Sequence, residues 1–302
     1  MRLGITGATG FVGRALMKEA AKAGHQVVAF TRRPVDSLAG ANAVRNFSVP
    51  AAADFSKLDA LVHLAGEPVA GLWTKRKKAL IGQSRVNSTR DIVTALGKLP
   101  DSPPVLVCAS GTGFYGNRGD EILDEDADGG FGFLAEVCRE WESAARKAEK
   151  GGIRVVSCRL GMVLGPHGGA LASLKKLFSM GLGGRLGKGT QWMPWIQVED
   201  AARLLLRATS TAPPWRGPVN GVSPEAVQNI EFTRALGDLM HRPTLLPVPA
   251  WLLKSLPGGM QEMLLFSQRV DPLVARLGGF EWRYPNLVDA LAASLGVTSP
   301  KS

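Results

Sequence analysis

Three glycines near the start of the chain constrain its fold more than any other feature. Gly7, Gly10 and Gly13 recur in TGATGFVG, where the apolar segment RLGIT meets the helix-like FVGRALMKEAAKAG. Glycines at this spacing permit a tight strand-to-helix turn, close approach of the backbone to a ligand, and close packing of helix on sheet. The N-terminus of the helix then favours an anionic group. The pattern therefore predicts a dinucleotide pyrophosphate site formed by Gly7, Thr9, Gly10, Phe11, Val12 and Gly13.

The first two-thirds of the chain alternates between apolar strands and helices. QVVAFT, DALVHLAG, PVLVCAS and IRVVSCRL are predicted to be buried strands, and amphipathic helical patterns separate several of them. Near-continuous apolar strands with helices between them are typical of a parallel sheet that is covered on both faces. We therefore predict an α/β fold, a Rossmann-type doubly wound parallel sheet with a smaller C-terminal substrate-side region.

The domain prediction follows from a change of pattern later in the chain. Residues 1–245 are predicted to form the Rossmann domain, with substrate-side segments interleaved from about residue 166, where glycine-rich and short extended pieces begin. Prolines at 243, 247 and 249 lead into a mainly helical stretch. We predict that residues 246–298 form a C-terminal helical annex.

The end of the second strand indicates which dinucleotide the site prefers. An NAD site usually carries Asp or Glu there, which accepts a hydrogen bond from the ribose 2′-hydroxyl. Here the strand ends in FTRRP, so Thr31 is followed by Arg32 and Arg33, and the first acidic residue is Asp36. A guanidinium holds a 2′-phosphate through charge-assisted hydrogen bonds. We predict NADP as the cofactor, with Arg32 as its selective contact; the alternative is a pair of solvated loop arginines.

Several motifs together resemble the extended short-chain dehydrogenase/reductase superfamily of NAD(P)-dependent epimerases and dehydratases. TGATGFVG matches its glycine motif, VHLAG its strand-four segment, and CRLGMVLGP the stretch that contacts the nicotinamide end. HLAGEP, SGTGFYG, FLAEVCREWE and RVDPLVARLGGFEWRYPNL are similar to an atypical bacterial group of "epimerase family proteins", some labelled cell-division-inhibitor homologues, with a C-terminal domain of unknown function. The resemblance implies cofactor contacts at Thr31, Arg32, Leu64, Ala65, Gly66, Arg85 and Met162.

Arg85 departs from the asparagine that extended members of the superfamily usually carry at this position. An arginine there is well suited to bind a phosphate. The alternative is that Arg85 is simply a surface residue of a helix.

The catalytic tyrosine and lysine that this resemblance implies are missing. In the superfamily a serine or threonine orients the substrate, a tyrosine transfers the proton, and a lysine four residues later lowers the pKa of that tyrosine. The chain has two tyrosines, Tyr115 and Tyr284, and neither is followed by lysine at that spacing. Matching FLAEVCREWE to the family places Leu134 at the tyrosine and Cys138 at the lysine, and Gly111 takes the place of the serine.

Three residues are candidates to replace that machinery. Tyr115 is expected to face the cofactor cleft, where its phenol would act as a general acid if a cation lowered its pKa. Ser110 is a candidate to orient a carbonyl or hydroxyl group, and Glu67 is a candidate base if it is partly desolvated. A structural or binding role is the alternative for each. FLAEVCREWE itself is expected to be scaffold, because its apolar residues repeat at helical spacing and Cys138 fits a small buried position.

Composition limits the other classes of partner. The net charge of +10 is spread along the chain, and its densest run, KRKK, is predicted to be a solvated face rather than a nucleic-acid footprint. No run approaches the ~18 apolar residues of a membrane span. The three cysteines and four histidines lack metal-ligand spacing. We expect a cytoplasmic protein with reduced cysteines, a small-molecule substrate, no metal, no nucleic-acid or membrane partner, and a homodimer as the candidate assembly.

Two functions remain open at the level of sequence. The first is an NADP(H)-dependent epimerase- or oxidoreductase-like protein that acts on an unknown small polar substrate, such as a sugar- or nucleotide-linked compound. The second is a non-catalytic NADPH-binding regulatory module that acts through a protein partner. NADPH oxidation against a panel of carbonyl compounds separates the two.

Overall fold

The computed structural model describes residues 1–33, 35, 37–255 and 257–299, so Asp36 lies outside the described residues. The strands are β1 (Arg2–Thr6), β2 (Gln26–Thr31), β3 (Ala43–Asn46), β4 (Ala60–His63), β5 (Val105–Gly111), β6 (Ile122–Leu123), β7 (Arg154–Leu160), β8 (Met162–Leu164), β9 (Trp192–Met193), β10 (Trp195–Gln197), β11 (Gly217–Gly221), β12 (Val227–Gln228) and β13 (Arg269–Val270). The helices are α1 (Phe11–Lys22), α2 (Lys75–Leu96), α3 (Phe133–Arg146), α4 (Gly169–Ser179), α5 (Val198–Ala208), α6 (Asn229–Leu239), α7 (Ala250–Lys254), α8 (Gln261–Leu265), α9 (Leu273–Leu277) and α10 (Leu287–Leu295).

The central sheet is parallel throughout and confirms the predicted fold class. In the described part of the chain it has seven strands, in the order β3-β2-β1-β4-β5-β7-β11. The chain moves outward from β1 to β3, then returns to the other side of β1 with β4. In such sheets ligands bind at the carboxyl edge, where the order reverses. The carboxyl ends of β1 and β4 therefore mark the expected site.

Two helical layers cover the sheet because each helix has one apolar face. On one face α1 and α5 pack against the sheet, in a cluster that includes Leu3, Ile5, Leu16, Ala201 and Leu205. On the other face α2 and α3 do the same, in a cluster that includes Leu61, Val86, Ile92, Leu106 and Trp141. The sheet is buried on both faces, which accounts for the near-continuous apolar strands in the sequence.

The C-terminal segment contacts the preceding part of the chain at several points. β13 pairs in parallel with β6, and α10 packs against α6 through a cluster that contains Leu287 and Phe232. The Glu262 carboxylate of α8 accepts hydrogen bonds of 3.2 Å from the N–H groups of Phe133 and Leu134, at the start of α3. The segment has the predicted helices, and the domain boundary at residue 245 stays a prediction. No described helix is long and apolar enough to cross a lipid bilayer.

Candidate functional site

The turn between β1 and α1 leaves room for nothing larger than glycine. Gly7 has a φ of 68°, and a Cβ there would lie 2.8 Å from the Ala65 nitrogen at the exit of β4. The Gly10 N–H donates to the Gly7 carbonyl at 2.9 Å, and a Cβ on Gly13 would overlap that same carbonyl oxygen. The turn is thereby held against the exit of β4, as in turns that let a ligand's phosphates approach the backbone.

No side chain caps the N–H groups at the start of α1. Gly10 is its N-cap and gives no side-chain hydrogen bond, and its first turn has no acidic residue. Positive dipole and N–H groups are therefore available to an anion at Thr9 and Val12. The Phe11 ring packs against the loop that follows β8. It lies so close that a Cβ on Gly165 or Gly168 would overlap the ring. Phe11 thus joins the glycine turn to the substrate-side segments.

Arg32 directly follows the end of β2. The Thr31 hydroxyl donates to the carbonyl of Arg33 at 2.8 Å and shapes the turn after the strand. The Arg32 side chain is exposed, and none of the residues the structure describes accepts a hydrogen bond from its guanidinium. A cation that follows β2, next to the glycine turn, and has no acceptor among the described residues suits a 2′-phosphate.

The loop after β4 lies against the glycine turn at the same edge of the sheet. Thr6 accepts hydrogen bonds from the N–H groups of Leu64 and Ala65, at 3.2 and 3.4 Å from its Oγ1. Gly66 then lies against Arg85, whose Nη1 donates to the Glu67 carbonyl at 2.8 Å. This bond fixes the loop, so Arg85 acts at least in part as a brace. Its predicted contact with a phosphate stays a prediction.

Met162, the last of the predicted cofactor contacts, lies at the same edge of the sheet. It begins β8 just after β7 ends, and its N–H donates to the carbonyl of Pro194 at 2.8 Å. Because the carboxyl ends of parallel strands share one edge, the glycine turn, Arg32, the Leu64–Gly66 loop and Met162 follow strands at the same edge of the sheet. A glycine turn suited to phosphates and an exposed guanidinium fit a dinucleotide that carries a 2′-phosphate.

A buried ion pair lies where the family pattern would put catalytic groups. The side chains of Glu142 and Arg159 are each 4% exposed and meet through two bonds of 2.9 Å. The Ser110 hydroxyl donates to the same carboxylate at 2.7 Å. Ser110 is therefore engaged with the protein itself. The sequence analysis did not single out Arg159, although an arginine within the apolar IRVVSCRL signals a buried acidic partner.

The expectation that Tyr115 faces the cofactor cleft is wrong. Tyr115 is fully buried and packs in a small cluster with Leu123. Its hydroxyl lies 2.7 Å from the Asn220 Oδ1 and 2.9 Å from the Asp124 carbonyl, and accepts a hydrogen bond from Arg159 at 2.9 Å. Burial raises the pKa of Tyr115 to about 12, against the opposing effect of the Arg159 charge. The phenol is a structural link and not a poised acid.

The expectation that Glu67 is a desolvated base is also wrong. Its carboxylate is paired with Lys77 at 2.7 Å and is partly exposed. The hydrogen bond from Lys77 lowers the pKa of Glu67, and the charges of Lys77, Arg32 and Arg85 add to that effect. A carboxylate with a lowered pKa is a weaker proton acceptor.

Helix α3 agrees with its predicted role as scaffold. Cys138 and Trp141 are buried on its inner side, and the Leu134 side chain lies against Gly113. Burial raises the pKa of Cys138 to about 11, so this side chain is a neutral thiol at physiological pH. No group of His, Cys, Asp and Glu within the described residues could hold a metal ion.

An all-parallel sheet in Rossmann order, with a glycine turn at its reversal point, defines a dinucleotide-binding protein. The profile described as "NAD dependent epimerase/dehydratase family" matches residues 3–214, and "Domain of unknown function (DUF1731)" matches residues 248–294. The chain belongs to the NAD-dependent epimerase/dehydratase family. The resemblance stated from the motifs is thereby confirmed.

Relatives match over nearly the whole chain. "Epimerase family protein SDR39U1 homolog, chloroplastic" of Arabidopsis thaliana is 37% identical over 97% of this chain and 86% of its own length. "Epimerase family protein YfhF" of Bacillus subtilis is 33% identical over 97% of each chain. The crystal structure of human epimerase family protein SDR39U1 (isoform 2) with NADPH has a TM-score of 0.89 at 31% identity, and covers 98% of this chain and 99% of that one.

Proposed function

We propose that this protein binds NADP(H) at the carboxyl edge of its sheet and is an epimerase- or oxidoreductase-like protein for a small polar, sugar- or nucleotide-linked substrate. The glycine turn and the start of α1 would hold the pyrophosphate, and Arg32 the 2′-phosphate. The nicotinamide would supply hydride chemistry, while the chain's own residues bind and orient it. The observation that carries the proposal is the exposed Arg32 guanidinium beside the glycine turn.

Two solved relatives support this reading of cofactor and substrate. The human relative was crystallised with NADPH. A protein from Corynebacterium glutamicum that is described as a nucleoside-diphosphate sugar epimerase is 33% identical, with a TM-score of 0.77. The match covers 98% of this chain and 58% of that one, so the activity of the longer protein is an analogy for this one.

Calorimetric titration of the wild-type protein with NADPH and with NADH tests the proposal. Because one charge-assisted hydrogen bond contributes about 1.5–3 kcal/mol, we expect NADPH to bind at least about tenfold more tightly. Adenosine 2′,5′-bisphosphate should compete with NADPH, and adenosine 5′-monophosphate should compete far less. Equal affinities for the two dinucleotides would contradict the proposal.

The second candidate is a non-catalytic NADPH-binding module that acts through a protein partner. This candidate is favoured because each residue predicted to carry a proton is occupied within the protein. Tyr115 is buried, Ser110 is bonded to Glu142, and Glu67 is paired with Lys77. Single-turnover hydride transfer separates the candidates: NADPH is mixed with carbonyl compounds, which would accept its hydride, and NADP+ with nucleoside-diphosphate sugars, whose hydroxyl-bearing carbon would donate one. Turnover with any of them supports the enzyme, whereas intact NADPH binding without turnover across the panel supports the module.

The compartment is part of the proposal. The three cysteines are free and buried, which suits the reducing cytoplasm that the sequence analysis expects. The Arabidopsis relative carries the word chloroplastic in its name, and the stroma would suit the same thiols.

A further inference from the structure

Two segments that are distant in sequence lie side by side in the structure. The Val248 N–H donates to the Arg185 carbonyl at 2.8 Å, and the Gly187 N–H donates to the Val248 carbonyl at 2.9 Å. Residues 171–190, which contain most of α4, therefore lie beside residues 240–255, which lead into α7. We call the outer surface of these two segments the apolar–basic face.

Large apolar side chains project from this face into solvent. Single exposed apolar residues are normal on a protein surface, but a group of them in adjoining segments marks an interaction site. Seven such residues of the face are between 44% and 85% exposed: Leu177, Met180, Leu182, Leu245, Leu246, Trp251 and Leu252.

The charge on the same face has one sign. The two segments contribute the cations Lys175, Lys176, Arg185, Lys188, Arg242 and Lys254. Neither segment contains Asp or Glu, and the sequence has no acidic residue from 150 to 198 or from 239 to 261. A second copy of the chain would bring like charges together, which opposes self-association through this face. An occupant must therefore offer apolar contact and negative charge together.

We propose that the apolar–basic face docks onto an anionic phospholipid bilayer, with the protein lying on the membrane surface. Anionic headgroups attract each lysine and arginine near the surface, and leucine and tryptophan side chains enter the boundary between headgroups and acyl chains. The sequence-based expectation of no membrane partner rested on the lack of a spanning segment, and interfacial binding needs none. The proposal does not depend on catalysis or on the cofactor.

Flotation of the full chain with phospholipid vesicles tests the proposal. We expect binding to vesicles of phosphatidylcholine with phosphatidylglycerol, weak binding to phosphatidylcholine alone, and loss of binding at high salt. In wild type, the emission of Trp251 should shift to the blue on anionic vesicles, and Trp251→Phe should remove that shift. Binding to neither kind of vesicle, or equal binding to both, would overturn the proposal.

Matched variants distinguish binding through this face from nonspecific electrostatic or hydrophobic binding elsewhere on the protein. Lys175→Glu/Lys176→Glu should weaken partitioning at least about tenfold, whereas Lys147→Glu/Lys150→Glu, an equal charge change on an exposed turn elsewhere, should have a much smaller effect. Leu246→Ser should weaken binding, whereas Leu277→Ser should not, although both leucines are 77% exposed. Melting temperatures and NADPH affinity should stay at wild-type values in all four. Equal losses in face and control variants would overturn the proposal, as would wild type that binds only an acidic protein.

Discussion

Arg159 is the residue whose contacts explain most about the missing catalytic pair. Its guanidinium bonds Glu142 through two nitrogens, reaches the Tyr115 hydroxyl, and lies 3.5 Å from the centroid of the Phe114 ring. The family pattern would place a lysine and a tyrosine on α3 near this point. The chain instead has a closed network between strand and helix, in which Ser110 also takes part. These residues hold the end of the sheet together.

The buried pair makes a direct prediction about stability. Glu142→Gln removes the carboxylate charge and leaves the Arg159 guanidinium buried with a neutral partner. Breaking one side of such a pair costs about 3–5 kcal/mol, so the urea midpoint should fall markedly. Glu140→Gln, on an exposed position of the same helix, should change stability by less than about 0.5 kcal/mol. Similar midpoints for the two variants would show that the pair is not coupled to folding.

Tyr115 gives the second prediction at this scale. Tyr115→Phe removes a hydroxyl that links Asn220, Arg159 and the Asp124 carbonyl, so we expect a loss of about 1–3 kcal/mol in the free energy of unfolding. NADPH affinity should be unchanged, and so should turnover with any substrate that is found. A hundredfold loss of turnover at an unchanged melting temperature would restore Tyr115 as the acid.

At the scale of elements, β4 carries a buried histidine beside the cofactor loop. His63 Nδ1 lies 2.6 Å from the Thr6 Oγ1, and its Nε2 has no hydrogen-bond partner among the described residues. Burial lowers the pKa of His63 from 6.5 to about 3, and the Arg85 charge adds to that effect. The imidazole is therefore neutral in the folded protein over the physiological range.

This histidine predicts how stability depends on pH. Because its pKa is lower in the folded state, the unfolded chain takes up the proton first as pH falls. The contribution of His63 is complete above about pH 6.5 and is lost on the way down to about pH 3, at about 1.4 kcal/mol per pH unit. Denaturation at several pH values should show this slope in wild type and a shallower one in His63→Asn. Identical slopes in the two proteins would mean that protonation of His63 does not contribute to the pH dependence of stability.

Whether the sequence predicts a strand depends on how deeply the strand is buried and on how far along the chain its partner strand lies. β1, β2, β4, β5 and β7 are near-continuous apolar runs, and each was predicted close to its observed bounds. β3 is a half-exposed edge strand and β11 contains glycine and proline, so neither shows the apolar pattern. β6 and β13 have two residues each and exist only because their partners lie beside them. Pairing over such separations has no local signature.

At the scale of the whole molecule, the sequence predicted the sheet and its glycine turn but not the interior beside them. The glycine turn and Arg32 depend on local geometry that short motifs encode. Tyr115 was misplaced because its surroundings come from β6 and β11, which short-range patterns do not reveal. Glu67 was misjudged because its partner, Lys77, comes from the following helix. Motifs thus predicted the strand-to-helix turn, and the cofactor contacts stay predictions, whereas pKa values and burial required the assembled structure.

The measurement that tests the central claim most directly is the titration of Arg32→Ala with NADPH and with NADH. The proposal assigns this guanidinium to the 2′-phosphate, and losing that partner would remove about 1.5–3 kcal/mol of binding. NADPH should therefore bind roughly ten- to a hundredfold more weakly than to wild type, and NADH should bind nearly as before. Arg33→Ala, which changes the neighbouring exposed arginine, should leave the preference for NADPH intact. Equal losses for both dinucleotides, or no loss for NADPH, would contradict the account.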